Sequence, residues 1–174
     1  IFQLVKVNEG DRLIDVQLVH DKGQYLVMTE KGMAIRFEGS EVRVMGLVAA
    51  GVNAIKLGKD DWVTGMTELT GKGELSWIAS NGLAWRVALD DFPIQGRYGQ
   101  GVIGCRLEPA VRVIGVCFGK KNHQYALHFQ KGAAKMYRMD EVALTRRAGK
   151  GVELVKIGPG EKVTQLVQVK DLIE

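Results

Sequence analysis

The chain predicts an all-β, propeller-like array of small sheets, and three observations carry that prediction. One is a stretch that returns. Thr29-Glu30-Lys31-Gly32-Met33-Ala34-Ile35-Arg36-Phe37 is echoed by Ser80-Asn81-Gly82-Leu83-Ala84-Trp85-Arg86-Val87 and by Gln130-Lys131-Gly132-Ala133-Ala134-Lys135-Met136-Tyr137, with glycines fifty residues apart. In each copy apolar, β-prone residues precede a polar turn with Gly and a second short apolar run, which is a hairpin signal. The second observation is that the period extends beyond the hairpin. Gly51-Val52, Gly101-Val102 and Gly151-Val152 keep it, and so do Val5-Lys6-Val7, Ile55-Lys56-Leu57, Cys105-Arg106-Leu107 and Val155-Lys156-Ile157. The third is the absence of any sustained 3.6-residue period with caps, so little or no helix is expected. Several short strands per copy at a period near fifty residues indicate a propeller-like array. The expected organisation is a single domain or fragment over 1–174, with copies at 1–50, 51–100 and 101–150 and a partial one at 151–174.

Each copy reads as four strands. In the first they fall at about 2–7, 12–20, 24–29 and 33–38, with turns at Asn8-Glu9-Gly10-Asp11, His20-Asp21-Lys22-Gly23 and Gly32. The second copy predicts 52–57, 62–69, 74–79 and 83–88, and the third 102–107, 112–118, 124–129 and 133–138. The fourth supplies 152–157 and 162–169. Tyr25-Leu26-Val27-Met28, Trp77-Ile78-Ala79 and Ala126-Leu127 are apolar at consecutive positions, as in strands covered on both faces. Stacked blades have that property. Three and a half periods do not close a ring simply, so the array is expected to continue in more chain, to stay open or to close by exchange with another copy.

Composition narrows the class further. A hydrophobic fraction of 46% and a charged fraction of 25% suit a globular domain, and no apolar run exceeds strand length. No signal peptide is visible, although the chain starts at Ile1. Cys105 occupies the position of Val5, Ile55 and Val155, so it reads as a small core hydrophobe, and neither it nor Cys117 has zinc-ligand spacing. A reducing, cytoplasmic compartment fits. The net charge of +4 is unevenly placed: residues 101–150 hold 10 Lys/Arg against 3 Asp/Glu, a net of +7, while each other segment stands at −1. A polyanion partner on one sector follows from that asymmetry.

The stretch before each copy boundary carries the most chemistry. It reads Thr145-Arg146-Arg147-Ala148-Gly149-Lys150-Gly151 in the third copy, Gln95-Gly96-Arg97-Tyr98-Gly99-Gln100-Gly101 in the second and Met45-Gly46-Leu47-Val48-Ala49-Ala50-Gly51 in the first. Cationic donors among glycines allow close backbone approach and suit phosphate, although a merely solvated basic loop has the same composition. The run Thr29-x-x-Gly32-x-x-Ile35-Arg36-Phe37-x-x-x-Glu41-Val42-Arg43-x-Met45-Gly46, ending in Gly51-Val52 and Ile55-x-Leu57, resembles the repeat of the DNA gyrase A C-terminal domain and of its topoisomerase IV paralogue. Thr145 to Gly151 also resembles the gyrase-A box, a Q-R-R-G-G-K-G pattern. Arg146, Arg147, Gly149, Lys150 and Gly151 match it; Thr145 and Ala148 depart, and Leu47 stands where the repeat usually has Arg.

That resemblance implies a β-pinwheel of five or six blades that exchange strands, with duplex DNA bent around a basic rim. It implies a domain that cuts no DNA itself, and instead presents a curved segment to the cleavage core of a bacterial type IIA topoisomerase. The implied partners are double-stranded DNA, that cleavage core and the ATPase subunit. ATP and Mg would belong to other parts of the parent enzyme, and the implied location is cytoplasmic and nucleoid-associated. Candidate DNA contacts are Lys31, Arg36, Arg43, Arg86, Arg97, Lys131, Lys135, Arg138, Arg146, Arg147 and Lys150. The set Lys6, Lys56, Arg106 and Lys156 holds one position in every copy, which favours a shared structural or snorkelling role, with DNA contact there as the lesser alternative. Topoisomerase IV-type binding without strong wrapping is the nearest alternative reading, and a propeller used as a protein-interaction scaffold is the rival from another class.

Other constellations are weak. Asp60-Asp61 and Asp90-Asp91 lie at expected turns, where Asp is common for backbone reasons. His20, His123 and His128 share no register, and no nucleophile motif accompanies them. Trp62, Trp77 and Trp85 are expected to pack between blades.

Overall fold

A computed structural model describes residues 3–20 and 23–169. Among the described residues twelve strands follow in order: β1 (Gln24–Thr29), β2 (Met33–Glu38), β3 (Val63–Leu69), β4 (Glu74–Ala79), β5 (Leu83–Ala88), β6 (Val102–Ile103), β7 (Val113–Gly119), β8 (Gln124–Phe129), β9 (Lys135–Arg138), β10 (Leu144–Thr145), β11 (Val152–Glu153) and β12 (Val163–Val169). Helix is confined, among these residues, to three single turns of 3-10 geometry at Gly39–Glu41, Leu89–Asp91 and Met139–Glu141, again fifty residues apart. None of them is long and apolar enough to cross a membrane.

The strands form three sheets, and each sheet is assembled from more than one copy of the repeat. The first runs β3-β1-β2-β6; the second runs β7-β4-β5, with β10 parallel and β11 antiparallel to β5; the third runs β12-β8-β9. One rule generates all three. The hairpin of a copy takes its inner neighbour from the second strand of the next copy, as β1 takes β3, β4 takes β7 and β8 takes β12. It takes its outer neighbour from the first strand of the copy after that, as β2 takes β6 and β5 takes β11.

The hairpins form where the turn chemistry places them. Gly32, Gly82 and Gly132 have φ of 84°, 84° and 102°, the left-handed region that glycine enters without a Cβ penalty. At Gly82 a Cβ would also collide with the Val155 carbonyl, so the turn is seated against the partial fourth copy. β1 and β4 are buried at five consecutive positions, as their uninterrupted apolar runs require. The core lies between sheets. Leu26 and Met28 of the first blade pack with Trp77, Trp85 and Phe92 of the second, while Ile78 packs with Tyr125, Leu127 and Met139 of the third.

Several expected strands are lost or cut short, and the pairing rule explains each. Residues 12–20 form no strand: within residues 1–174 no earlier copy stands before them to supply a hairpin, and Leu18 is left 94% exposed. The expected strands at 2–7 and 52–57 shrink to the single bridges Val5–Ala49 and Ile55–Gly99 for the same reason, with Phe2 outside the described residues. In the turn expected at 20–23, Asp21 and Lys22 also lie outside them. The strands expected at 102–107 and 152–157 are two residues each, because their partners β2 and β5 meet them over two positions only. Trp62 corrects another expectation: it is 53% exposed and packs between no blades, whereas Trp77 and Trp85 are each 1% exposed and stack with ring centroids 6.1 Å apart.

Cys105 and Cys117 are free thiols inside this core. Burial pushes both up to about 12, against weaker opposing contacts from Trp77 and from the Ser76 backbone respectively. With so little thiolate, roughly one part in ten thousand at pH 8, neither cysteine of the native protein is expected to react with a thiol reagent. Both should label together once urea crosses the unfolding midpoint. Stoichiometric labelling of the folded protein would contradict this packing.

Candidate nucleic-acid interface

The boundary loop of the third copy begins as β10 and ends at β11, so both of its ends are strand-paired to β5. Between them the loop is held at four points. Thr145 donates its hydroxyl to the Arg86 carbonyl at 3.2 Å. The Ala148 N–H reaches the Gly104 carbonyl at 2.7 Å, and the Gly149 N–H closes a turn on the Arg146 carbonyl at 3.1 Å. The Trp85 indole N–H donates to the Gly149 carbonyl at 3.0 Å. Gly151 lies flat on the same indole: a Cβ there would stand 2.7 Å from the ring.

Arg147 belongs to this scaffolding. Its backbone N–H donates to the Asp91 carboxylate at 3.1 Å, and its guanidinium to the Asp91 carbonyl at 2.9 Å and the Ile103 carbonyl at 3.0 Å. Arg97 repeats the arrangement, donating from its backbone to the Glu41 carboxylate and from its guanidinium to the Glu41 and Asn53 carbonyls. In both loops a guanidinium expected on phosphate instead clamps the loop to the 3-10 turn of the preceding copy.

Arg36 and Arg86 also turn inward. Arg36 donates to the Gln24 side chain and, across the blade boundary, to the Leu89 and Phe92 carbonyls at 3.3 and 3.0 Å. Arg86 is 8% exposed, with its Nε 3.3 Å from the Glu74 carboxylate and its Nη1 3.4 Å from the Met139 carbonyl. These two residues staple neighbouring blades, which corrects the expectation that they face a ligand. Lys31 sends its ammonium to the Lys59 carbonyl at 2.7 Å, and Arg138 pairs with Asp140 at 3.1 Å. Asp61 caps the Lys31 and Trp62 amides, a backbone role in keeping with its turn.

What remains is a short set of cations that are exposed and, among the described residues, make no side-chain hydrogen bond or ion pair: Arg43, Lys131, Arg146 and Lys150, with Lys135 set over the Phe129 ring at 5.7 Å. Arg146 and Lys150 are the pair that the clamped loop presents together. The same two positions carry Gly46 and Ala50 in the first copy and Gly96 and Gln100 in the second. Sequence reasoning missed Trp85 as the floor of this loop, and it missed Glu41 and Asp91 as its anchors. Their signal was available in the shared register of Glu41, Asp91 and Glu141.

The residue at the fourth position of the loop is left-handed in every copy: Val48 at φ 64°, Tyr98 at 67° and Ala148 at 60°. A non-glycine residue there costs about 1 kcal/mol. This is the physical reason the box pattern has Gly at that place, and it shows that Ala148 departs from the pattern without departing from its geometry.

Comparison with known proteins bears on the family and the fold. A family model described as "DNA gyrase C-terminal domain, beta-propeller" matches residues 24–68, 78–116 and 130–170, once per copy and over more than half of the chain. The A subunit of DNA gyrase from Salmonella typhimurium is 30% identical over 98% of this chain, and that of Deinococcus deserti 31% identical over 95%. The chain spans about a fifth of the length of these relatives (20% and 21%). Among solved structures, the C-terminal domain of a DNA topoisomerase IV superposes with a TM-score of 0.89 at 21% identity, over 96% of this chain and 53% of the other. A period of fifty residues, a clamped boundary loop with a box-like sequence and a family match in each copy agree on one conclusion: this chain belongs to the DNA gyrase C-terminal domain family of β-propellers.

Proposed function

We propose that this chain is a non-catalytic, duplex-DNA-binding domain of a bacterial type IIA topoisomerase, of the gyrase A kind. The observation that carries this reading is the unpaired couple Arg146 and Lys150, held outward on a loop that Arg147 and Trp85 immobilise. An immobilised loop leaves only the two side chains to be ordered on meeting a phosphate, so less of the electrostatic gain is lost to ordering the backbone. Phosphate contacts position a duplex without reading its bases, which suits a domain that must accept any segment.

In the parent enzyme the domain would hold a curved segment for the cleavage core, while ATP and Mg serve the ATPase subunit and other parts of the assembly. Bending 20–30 base pairs costs roughly 1–6 kcal/mol, which contacts further along the rim have to offset. The boundary loops supply such a cationic couple in the third copy alone. Strong anchoring at one sector with gentler curvature is therefore the reading favoured over a tight wrap held by the loops, and it lies close to topoisomerase IV-type binding.

A salt titration tests the proposal. The affinity of the protein for a fluorescent duplex of mixed sequence is expected to fall steeply with salt. Arg146→Ala with Lys150→Ala should flatten the log–log slope by about 2, at 0.9 for each phosphate no longer neutralised. Arg147 is left intact because its donors are used internally. A binding curve insensitive to salt would favour the protein-interaction scaffold instead.

A further inference from the structure

We infer that Lys6, Lys56 and Arg106 form a second row of phosphate contacts, continuing the DNA track through copies whose boundary loops lack cations. The inference rests on the DNA-binding reading above. The position is filled by Lys6, Lys56, Arg106 and Lys156, a cation in every copy. On sequence alone a shared structural role is the simpler expectation. The geometry removes it: all four are exposed, and none makes a side-chain hydrogen bond or ion pair among the described residues. Their neighbours Ile55, Cys105 and Val155 are 6%, 2% and 6% exposed, so in these three copies the preceding side chain turns inward and this residue faces solvent, while in the first copy Val5 is itself 38% exposed beside Lys6. An outward position needs only a polar side chain; the fold gives no reason for a charge of one sign each time.

The placement supplies a reason. The Lys6 N–H donates to the Ala49 carbonyl at 3.3 Å, and the Lys56 N–H to the Gly99 carbonyl at 2.9 Å. In the third copy Gly104, two residues before Arg106, accepts from Ala148 at 2.7 Å. Each of the three cations is therefore carried by the segment on which the boundary loop of its own copy docks. The segment that carries Arg106 is the one on which the loop bearing Arg146 and Lys150 docks, whereas the segments of Lys56 and Lys6 receive loops that present Gly96, Gln100, Gly46 and Ala50 instead. A duplex anchored on the third loop thus meets one further cation per copy as it follows the rim. Such spacing favours curvature guided by single contacts over a duplex held at one end only.

The triple variant Lys6→Ala, Lys56→Ala, Arg106→Ala separates this from the parent reading. Its unfolding midpoint should match the unaltered protein, because the removed groups touch nothing inside. Its salt slope should fall by about 2–3, at 0.9 for each phosphate set free of its cation. Gel phasing should also show a smaller bend in the bound duplex. An unchanged slope in the triple variant, with a flattened one in Arg146→Ala/Lys150→Ala, overturns the second row and leaves the DNA reading standing. A lowered midpoint with an unchanged slope overturns it in favour of a structural role. Salt-independent binding in the unaltered protein removes both.

Discussion

Arg86→Ala is expected to lower stability by about 3 kcal/mol, near the lower end of what losing one partner of a buried pair costs, and to leave the salt slope of DNA binding where it was. The substitution strands the Glu74 carboxylate, whose side chain is 18% exposed and so keeps a little water. It also removes one of two donors from the Met139 carbonyl of the 3-10 turn in the next copy, which keeps the Val142 N–H. The loss therefore falls on the boundary between the second and third blades. Urea unfolding measures the first part, and a DNA titration under conditions where the variant stays folded measures the second. Pairing Arg86→Met with Glu74→Leu should recover most of the loss, since an apolar pair of similar volume removes the stranded charge. A flattened salt slope in a folded Arg86→Ala protein would return Arg86 to the DNA surface.

That contrast between a staple and a rim cation shows how far the chain is legible from its residues. Spacing and apolar runs place β1, β2, β4, β5 and β8 at their observed positions, because a hairpin is local: its turn glycine and its two flanking runs decide it. The outer and inner strands are less legible because they depend on partners from other copies. Residues 12–20 are as β-prone as 63–69, yet only the latter have a hairpin beside them. The rim divides in the same way. The box-like stretch is visible as a pattern, but composition cannot tell a guanidinium that clamps a loop from one that leaves it. Arg146 and Arg147 are neighbours in sequence, and the turn that carries them sends them to opposite fates. Positions that recur in every copy are ambiguous for the converse reason. Periodicity marks both what builds a blade, such as the Asp91–Arg147 clamp, and what every blade presents, such as Lys56 and Arg106.

Trp85→Ala is expected to cost about 3–5 kcal/mol in stability, the usual loss for truncating a large buried aromatic. It should also reduce DNA affinity beyond what unfolding explains. The two effects have one origin. Trp85 stacks on Trp77 at an interplanar angle of 12°, and Phe92 meets Trp77 edge-on at 85°, so removing the indole opens the main core. The indole is also the surface on which Gly151 rests, and its N–H holds the Gly149 carbonyl. Without that floor the loop keeps its Arg147 clamp at one end and loses support at the end that bears Lys150. Trp85→Phe separates the contributions: it retains most of the packing and gives up the indole hydrogen bond, for about 1 kcal/mol. Titrations in the cold, where both variants remain folded by circular dichroism, should rank affinity as unaltered protein, then Trp85→Phe, then Trp85→Ala. Equal affinities for all three folded proteins would mean that Arg147 and the paired ends hold the loop without the indole. In that case the cationic couple is presented by backbone pairing to β5, and the aromatic core supports the blade without shaping the site.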